Sequence, residues 1–254
     1  MNEVDHARTG STAIANHCPS PGAPRLDEHY MTAARADRYA RLFLVLFLIL
    51  GAIYGAVNPV MESPDEVYHY PLVKHLADGH DLPVQRQDVE TLYAQEGSQP
   101  PLYYALMAGL TCWLDTDDLP ALRYLNPHAR PGIPLAIDNK NMVVHTSREQ
   151  WPWQGATLAI HLIRLASVVL GAGTLWCGYR LARRLFPQHP LVALAALAFI
   201  AFNPMFAFIS ASVNNDNLVI LLTSITLLQL IRLLQEGVHW PDLVLLGTLC
   251  GLAA

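Results

Sequence analysis

Four long apolar runs, separated by polar segments of very unequal length, set the pattern of this chain. The first, Leu42–Met61, holds 20 residues without a charge, enough for a helix to cross about 30 Å of hydrocarbon. Comparable runs cover 158–180, 191–209 and 214–234, the third interrupted by Asn203-Pro204. A further run, 242–254, has only 12 apolar residues from Leu243 and cannot span, so a truncated chain with further helices is expected. Residues 1–40 are polar, without periodicity, and read as a disordered tail. Arg35, Arg38 and Arg41 precede the first run, Arg180, Arg183 and Arg184 close the second, and Arg232 lies near the end of the fourth. Basic residues favour the cytoplasmic side of a span, so the pattern predicts a cytoplasmic N-terminus and an external loop over 62–157. The expected fold class is all-α, a polytopic transmembrane helical bundle over 41–254 with a large extracytoplasmic first loop carrying short juxtamembrane helices.

Inside the loop, Ser63-Pro64-Asp65-Glu66 has the form of a helix start, with Ser63 as cap, Pro64 at the first helical position and Glu66 completing a capping box. A kink is predicted at Pro71, then resumption through Leu72–Ala77 and a stop near Gly79. Gln99-Pro-Pro-Leu-Tyr-Tyr104 opens a second apolar helix, Leu102–Leu114, about 20 Å long and too short to span. Trp151 and Trp153 stand where an interfacial aromatic belt is expected.

Composition agrees with membrane spans: of 254 residues, 52% are hydrophobic and 15% charged. A net charge of −5 argues against nucleic-acid binding, which calls for a clustered basic face. The loop over 62–157 has 13 acidic and 6 basic residues, a bias that suits an external location. The four cysteines show no metal or disulfide spacing.

Candidate chemistry is acidic and close to the membrane. Asp65 and Glu66 follow the first span by a few residues, and Glu62, Asp65 and His69 would share one helical face by their spacing. They suit a general base or ligands for a divalent ion. A structural role competes, since acidic residues in a first turn also complement the helix dipole. Asp216, among Asn214, Asn215 and Asn217, would face the same side of the membrane, with turn chemistry as the plainer alternative. Arg164, one turn after His161 at the outer end of the second span, either snorkels to the interface or faces a cavity suited to a phosphate. Tyr103 and Tyr104 read as interfacial anchors or sugar platforms.

Taken in order, Ser-Pro-Asp-Glu-x-x-His after the first span, Gln-Pro-Pro-Leu-Tyr-Tyr, Ile-Arg-Leu-Ala-Ser, Arg-Leu-Ala-Arg-Arg-Leu-Phe-Pro and Asn-Pro before an external Asp resemble the GT-C superfamily of integral-membrane glycosyltransferases. That superfamily includes protein O-mannosyltransferases and aminoarabinose-lipid A transferases. The run Ser-Val-Asn-Asn-Asp-Asn-Leu is especially similar to a related group of largely uncharacterised bacterial membrane proteins, and the resemblance covers about residues 40–235. It implies transfer of a sugar from a polyprenyl-phosphate donor on the extracytoplasmic face of a bacterial inner membrane, with inversion at the anomeric carbon. It implies Asp65, with Glu66 beside it, as base or metal contact, Asp216 as the second acidic residue, and a possible divalent cation at Asp65 and Asp216. His69, Arg164, Tyr103 and Asn215 are the candidate substrate contacts, that of Arg164 on physical grounds alone. The competing readings are a transporter or flippase subunit and a non-catalytic envelope-assembly protein, for which polar residues within the membrane would also be natural.

Overall fold

The computed structural model describes residues 31–254 apart from 87, 131, 132, 134, 136, 138, 139 and 254. The described residues are almost entirely helical, without a named strand; one isolated antiparallel bridge joins Leu125 to Val143. Three helices are long and apolar enough to cross a membrane: α1 (Ala33–Val57), α5 (Gly155–Leu185) and α8 (Asp216–Glu236). The chain is an all-α polytopic membrane protein.

The first span lies earlier than its hydropathy suggests. The Thr32 side chain caps α1 by accepting from the Arg35 amide, and the helix is already under way where a disordered tail was expected over 33–40. Residues 1–30 of that expected tail lie outside the described residues. The polar first turns of α1 are held against α5, where Asp37 accepts a hydrogen bond of 2.6 Å from the Tyr179 hydroxyl. Termination comes at Asn58, ahead of Pro59, so 58–61 is an exit turn with Met61 at φ 65°.

Helix α5 is the central post, packed on α1, α8, α6 (Pro190–Ala201) and α7 (Pro204–Ser210). Its approach to α1 is close: a Cβ on Gly51 would sit 2.7 Å from a Val168 methyl. Its start is fixed from the loop side. Asp118, at the head of α4 (Leu119–Leu122), accepts from the Ala156 amide at 2.8 Å, while Gly155 takes φ 54°, where a side chain would strike that carboxylate.

The expected third span is broken. Helices α6 (Pro190–Ala201) and α7 (Pro204–Ser210) bend by 65° at a short break, because Pro204 cannot donate to the preceding turn and Asn203 caps the new helix through the Met205 and Phe206 amides. The loop carries α2 (Glu66–Ala77) and α3 (Leu102–Thr111), which pack together, and α9 (Trp240–Ala253) packs on α8. Pro71 leaves α2 helical throughout. The Val67 carbonyl that it deprives of a donor instead receives the Arg123 side chain at 2.9 Å.

Candidate functional site

At the loop end of the bundle the chain buries an ion pair completely. Glu66 and Arg164 are both wholly inaccessible, and the pairing is bidentate, with Nε donating to Oε1 at 2.9 Å and Nη2 to Oε2. The remaining lone pairs and protons are also used. Glu66 accepts from the Met61 and Val213 amides at 2.9 Å each, and Arg164 donates to the carbonyls of Gly55, Asn58 and Pro59. This full set of partners is what makes a buried pair tolerable, since each desolvated charge costs several kcal/mol if left unmet. One knot thereby joins the end of α1, the start of α2, the body of α5 and the turn before α8.

Two acidic residues stand just outside the knot. Asp65 precedes Glu66, and Asp216 follows Val213 by three residues, so Glu66 holds both segments at one end of the bundle. Both are exposed. Asp65 occupies the left-handed region at φ 57° as the N-cap of α2, its carbonyl accepts from Tyr68 and His69, and its carboxylate makes no capping bond. A non-glycine residue held there carries about 1–2 kcal/mol of strain. The Asp216 amide donates to Asn214 Oδ1 at 2.8 Å. Asn217 donates to the carbonyls of Ile209, Ser212 and Asn214, so the asparagines do perform turn chemistry while leaving the Asp216 carboxylate outside.

Beneath this rim lies a buried polar layer of His69, Tyr104 and Glu96. The His69 Nδ1 and the Tyr104 hydroxyl are 2.7 Å apart, and Glu96 Oε2 lies 3.4 Å from the same nitrogen without hydrogen-bond alignment. Glu96 Oε1 accepts from Gln95, but Oε2 is buried with no partner. Burial pushes the Glu96 carboxyl above its usual 4.5, and the negative charges of Asp65 and Asp216 push it further. Burial lowers His69 below 6.5 against the opposing pull of Asp65, Asp216 and Glu66. Both Asp65 and Asp216 therefore act electrostatically on the same two buried groups. Burial thus disfavours the charged form of both groups beside two exposed carboxylates.

Several expectations need correction. Glu66 forms no capping box with Ser63, whose hydroxyl accepts from Asn58, and as a sealed ion-pair partner it cannot touch substrate. Arg164 neither snorkels nor faces a cavity; its guanidinium donates to Glu66 and to the carbonyls of Gly55, Asn58 and Pro59 within the knot. Glu62 lies outside α2 and turns to the Met142 and Val143 amides and to His145, away from Asp65 and His69. Tyr103 is buried, its hydroxyl between Ser167 at 2.8 Å and the Asn214 amide at 3.2 Å, so it ties α3 to α5 and the Asn214 turn. Asn215 is buried and reaches Gln99 at 3.5 Å. His161 stacks on Trp153 with ring centroids 3.6 Å apart. Glu96 was missed. It sits in a short 3-10 turn, Ala94–Ser98, within a polar stretch that offers no periodicity and no spacing to the other acids.

Among the described residues no group of three or more His, Cys, Asp or Glu side chains stands close enough to hold a metal ion. A six-coordinate cation at Asp65 and Asp216 would need its other ligands from outside this set.

No curated protein and no solved structure matches the chain. Residues 149–254, less than half of the chain, match a family described as dolichyl-phosphate-mannose-protein mannosyltransferase. The matched stretch runs from the end of the loop through α9; it includes Arg164 and Asp216 and stops short of Asp65, Glu66, His69 and Glu96. Over α5 to α9, then, this chain is similar to a family of membrane glycosyltransferases that draw on a lipid-linked sugar.

Proposed function

We propose that the chain is a glycosyltransferase that moves a sugar from a polyprenyl-phosphate donor to an acceptor hydroxyl at the extracytoplasmic face of a bacterial inner membrane. The observation that carries this reading is that the Val213 amide donates to Glu66, which brings the Asp65 and Asp216 segments, from opposite halves of the chain, to one end of the bundle near the buried His69, Tyr104 and Glu96. The family likeness of 149–254 supplies the reaction class. The arginines at the opposite ends of α1, α5 and α8 support the sidedness.

In the proposed reaction the acceptor oxygen forms a bond to the anomeric carbon, and the bond from that carbon to the phosphate oxygen breaks with inversion. The electron pair leaves with the polyprenyl phosphate. The acceptor proton passes to the Asp65 carboxylate, which is open and held by a strained backbone at the rim. Asp216, exposed at the same end of the bundle, orients the acceptor or sugar hydroxyls by accepting hydrogen bonds. Arg164 takes no part in stabilising the leaving phosphate, because its donors are committed. Glu66, Arg164 and Tyr103 are positioning residues that hold the two acid-bearing segments together.

The test is transfer from a panel of polyprenyl-phosphate sugars by protein in lipid nanodiscs. Asp65→Asn should lower transfer by about 100-fold or more while the unfolding temperature is unchanged. Undiminished transfer in that variant would remove Asp65 as the base.

A further inference from the structure

At the end of the bundle away from the acidic rim, α1 and α5 enclose a cleft of about 600 Å3 lined by Asp37, Arg41, Trp176, Arg180, Arg183 and Arg184. Four guanidiniums face one carboxylate, and that carboxylate already accepts from Tyr179. Arg184 is paired with Glu236 of α8 at 2.8 Å. Arg180 lies over the Trp176 ring at 5.8 Å, and Arg41 Nε donates to the Asp37 carbonyl. Among the described residues no carboxylate forms an ion pair with Arg41, Arg180 or Arg183. Arg183 Nη1 is buried without any hydrogen-bond partner.

A topological signal needs only basic residues in water on the correct side of the membrane. A guanidinium nitrogen buried without an acceptor is a different matter, because leaving a charged donor unmet costs more than leaving a neutral one. Such a nitrogen calls for an anionic oxygen from outside the chain. Planar guanidiniums converging on one space match the oxygens of a phosphate, which several of them can bind at once.

The surface beside the cleft indicates where that phosphate comes from. Val45, Ile49 and Ile53 continue from Arg41 at four-residue steps along one face of α1, and all three are about half exposed. An acyl chain fits along this track while its headgroup sits among the arginines. Trp176, whose ring stacks against Tyr179, adds an aromatic wall of the kind found at headgroup level. We infer that the cleft between α1 and α5 binds the phosphate of an anionic membrane lipid, with Arg41, Arg180 and Arg183 as its contacts. Basic pockets between membrane helices are general sites for such headgroups.

The experiment is native mass spectrometry of the whole chain released from detergent with equimolar phosphatidylglycerol and phosphatidylcholine. Wild type should retain phosphatidylglycerol about tenfold over phosphatidylcholine, and Arg183→Gln should lose most of that preference. Arg35→Gln, an exposed arginine at the same end and outside the cleft, should keep it. Should Arg183→Gln fail to fold, Arg41→Gln, on the exposed side, reads the same loss. Equal retention of the two lipids by wild type, or an unchanged preference in both cleft variants, would mean a topological signal only and overturn the site. A third arm adds millimolar inorganic phosphate; if it alone protects against thermal unfolding and phosphatidylglycerol adds nothing, the ligand is a free phosphate and the lipid assignment fails.

Discussion

Arg164 and Arg183 lie on the same helix, α5, the first in its body and the second in its last turn, and their surroundings could hardly differ more. Arg164 is fully buried, and each donor that the structure pairs goes to Glu66 or to a carbonyl at the end of α1. Arg183 faces a cleft shared with other arginines, with one nitrogen buried and unpaired. The first region closes charge upon itself and serves architecture, setting four segments in register. The second leaves charge unmet and calls for something from outside. In a membrane protein a buried charge is therefore informative only together with its partners.

The strongest way to break this contrast is to remove one side of the closed pair. Arg164→Met or Glu66→Gln should each lower stability by about 3–5 kcal/mol, because the remaining group is stranded in the interior. The double variant should regain part of that loss. Chemical unfolding in detergent micelles reads all three, and a small effect of either single change would show the knot to be open to water.

At the rim the expected effect moves from stability to activity. Asp216→Asn should reduce sugar transfer by about 100-fold, roughly 2.7 kcal/mol of barrier, while the unfolding midpoint stays within about 0.5 kcal/mol of wild type. A large stability loss together with the activity loss would make Asp216 part of the architecture, like Glu66.

The layer beneath gives a pH signature with two opposed slopes. His69 has a folded value below 6.5, so its contribution is present above 6.5 and is lost as pH falls from there through the folded value. Glu96 has a folded value above 4.5, so the folded state loses stability as pH rises from 4.5 through that value. His69→Gln should abolish the first slope and Glu96→Gln the second, in unfolding curves collected across pH. The smallest effect belongs to Arg184→Gln, which breaks a solvent-exposed pair with Glu236 and should leave the unfolding midpoint within experimental error.

Much of the fold was legible in the chain. Long apolar runs marked where the three long apolar helices lie, though not their ends, because a bilayer imposes length and desolvation requirements on each segment separately. Even there, the start of α1 was misplaced, since Thr32 capping and the Asp37–Tyr179 contact extend a helix beyond its apolar part. The break after Phe202 was legible as Asn203-Pro204, but the 65° bend was not.

The site divides along a similar line. Asp65 and Asp216 were recognisable as acids beside the ends of apolar runs, whereas Glu66, adjacent to Asp65, carried the same signal and is buried in an ion pair. Whether a carboxylate opens to water or locks onto a guanidinium depends on which distant segment packs beside it, and neighbours in sequence need not share neighbours in space. Glu96 shows the converse, a polar loop residue given its raised carboxyl only by burial against His69 and Tyr104. What the amino-acid sequence determined by itself was where its long apolar helices lie along the chain. The tertiary structure decided which charges were spent on one another and which were left free, because pairing and desolvation are properties of the packed helices together.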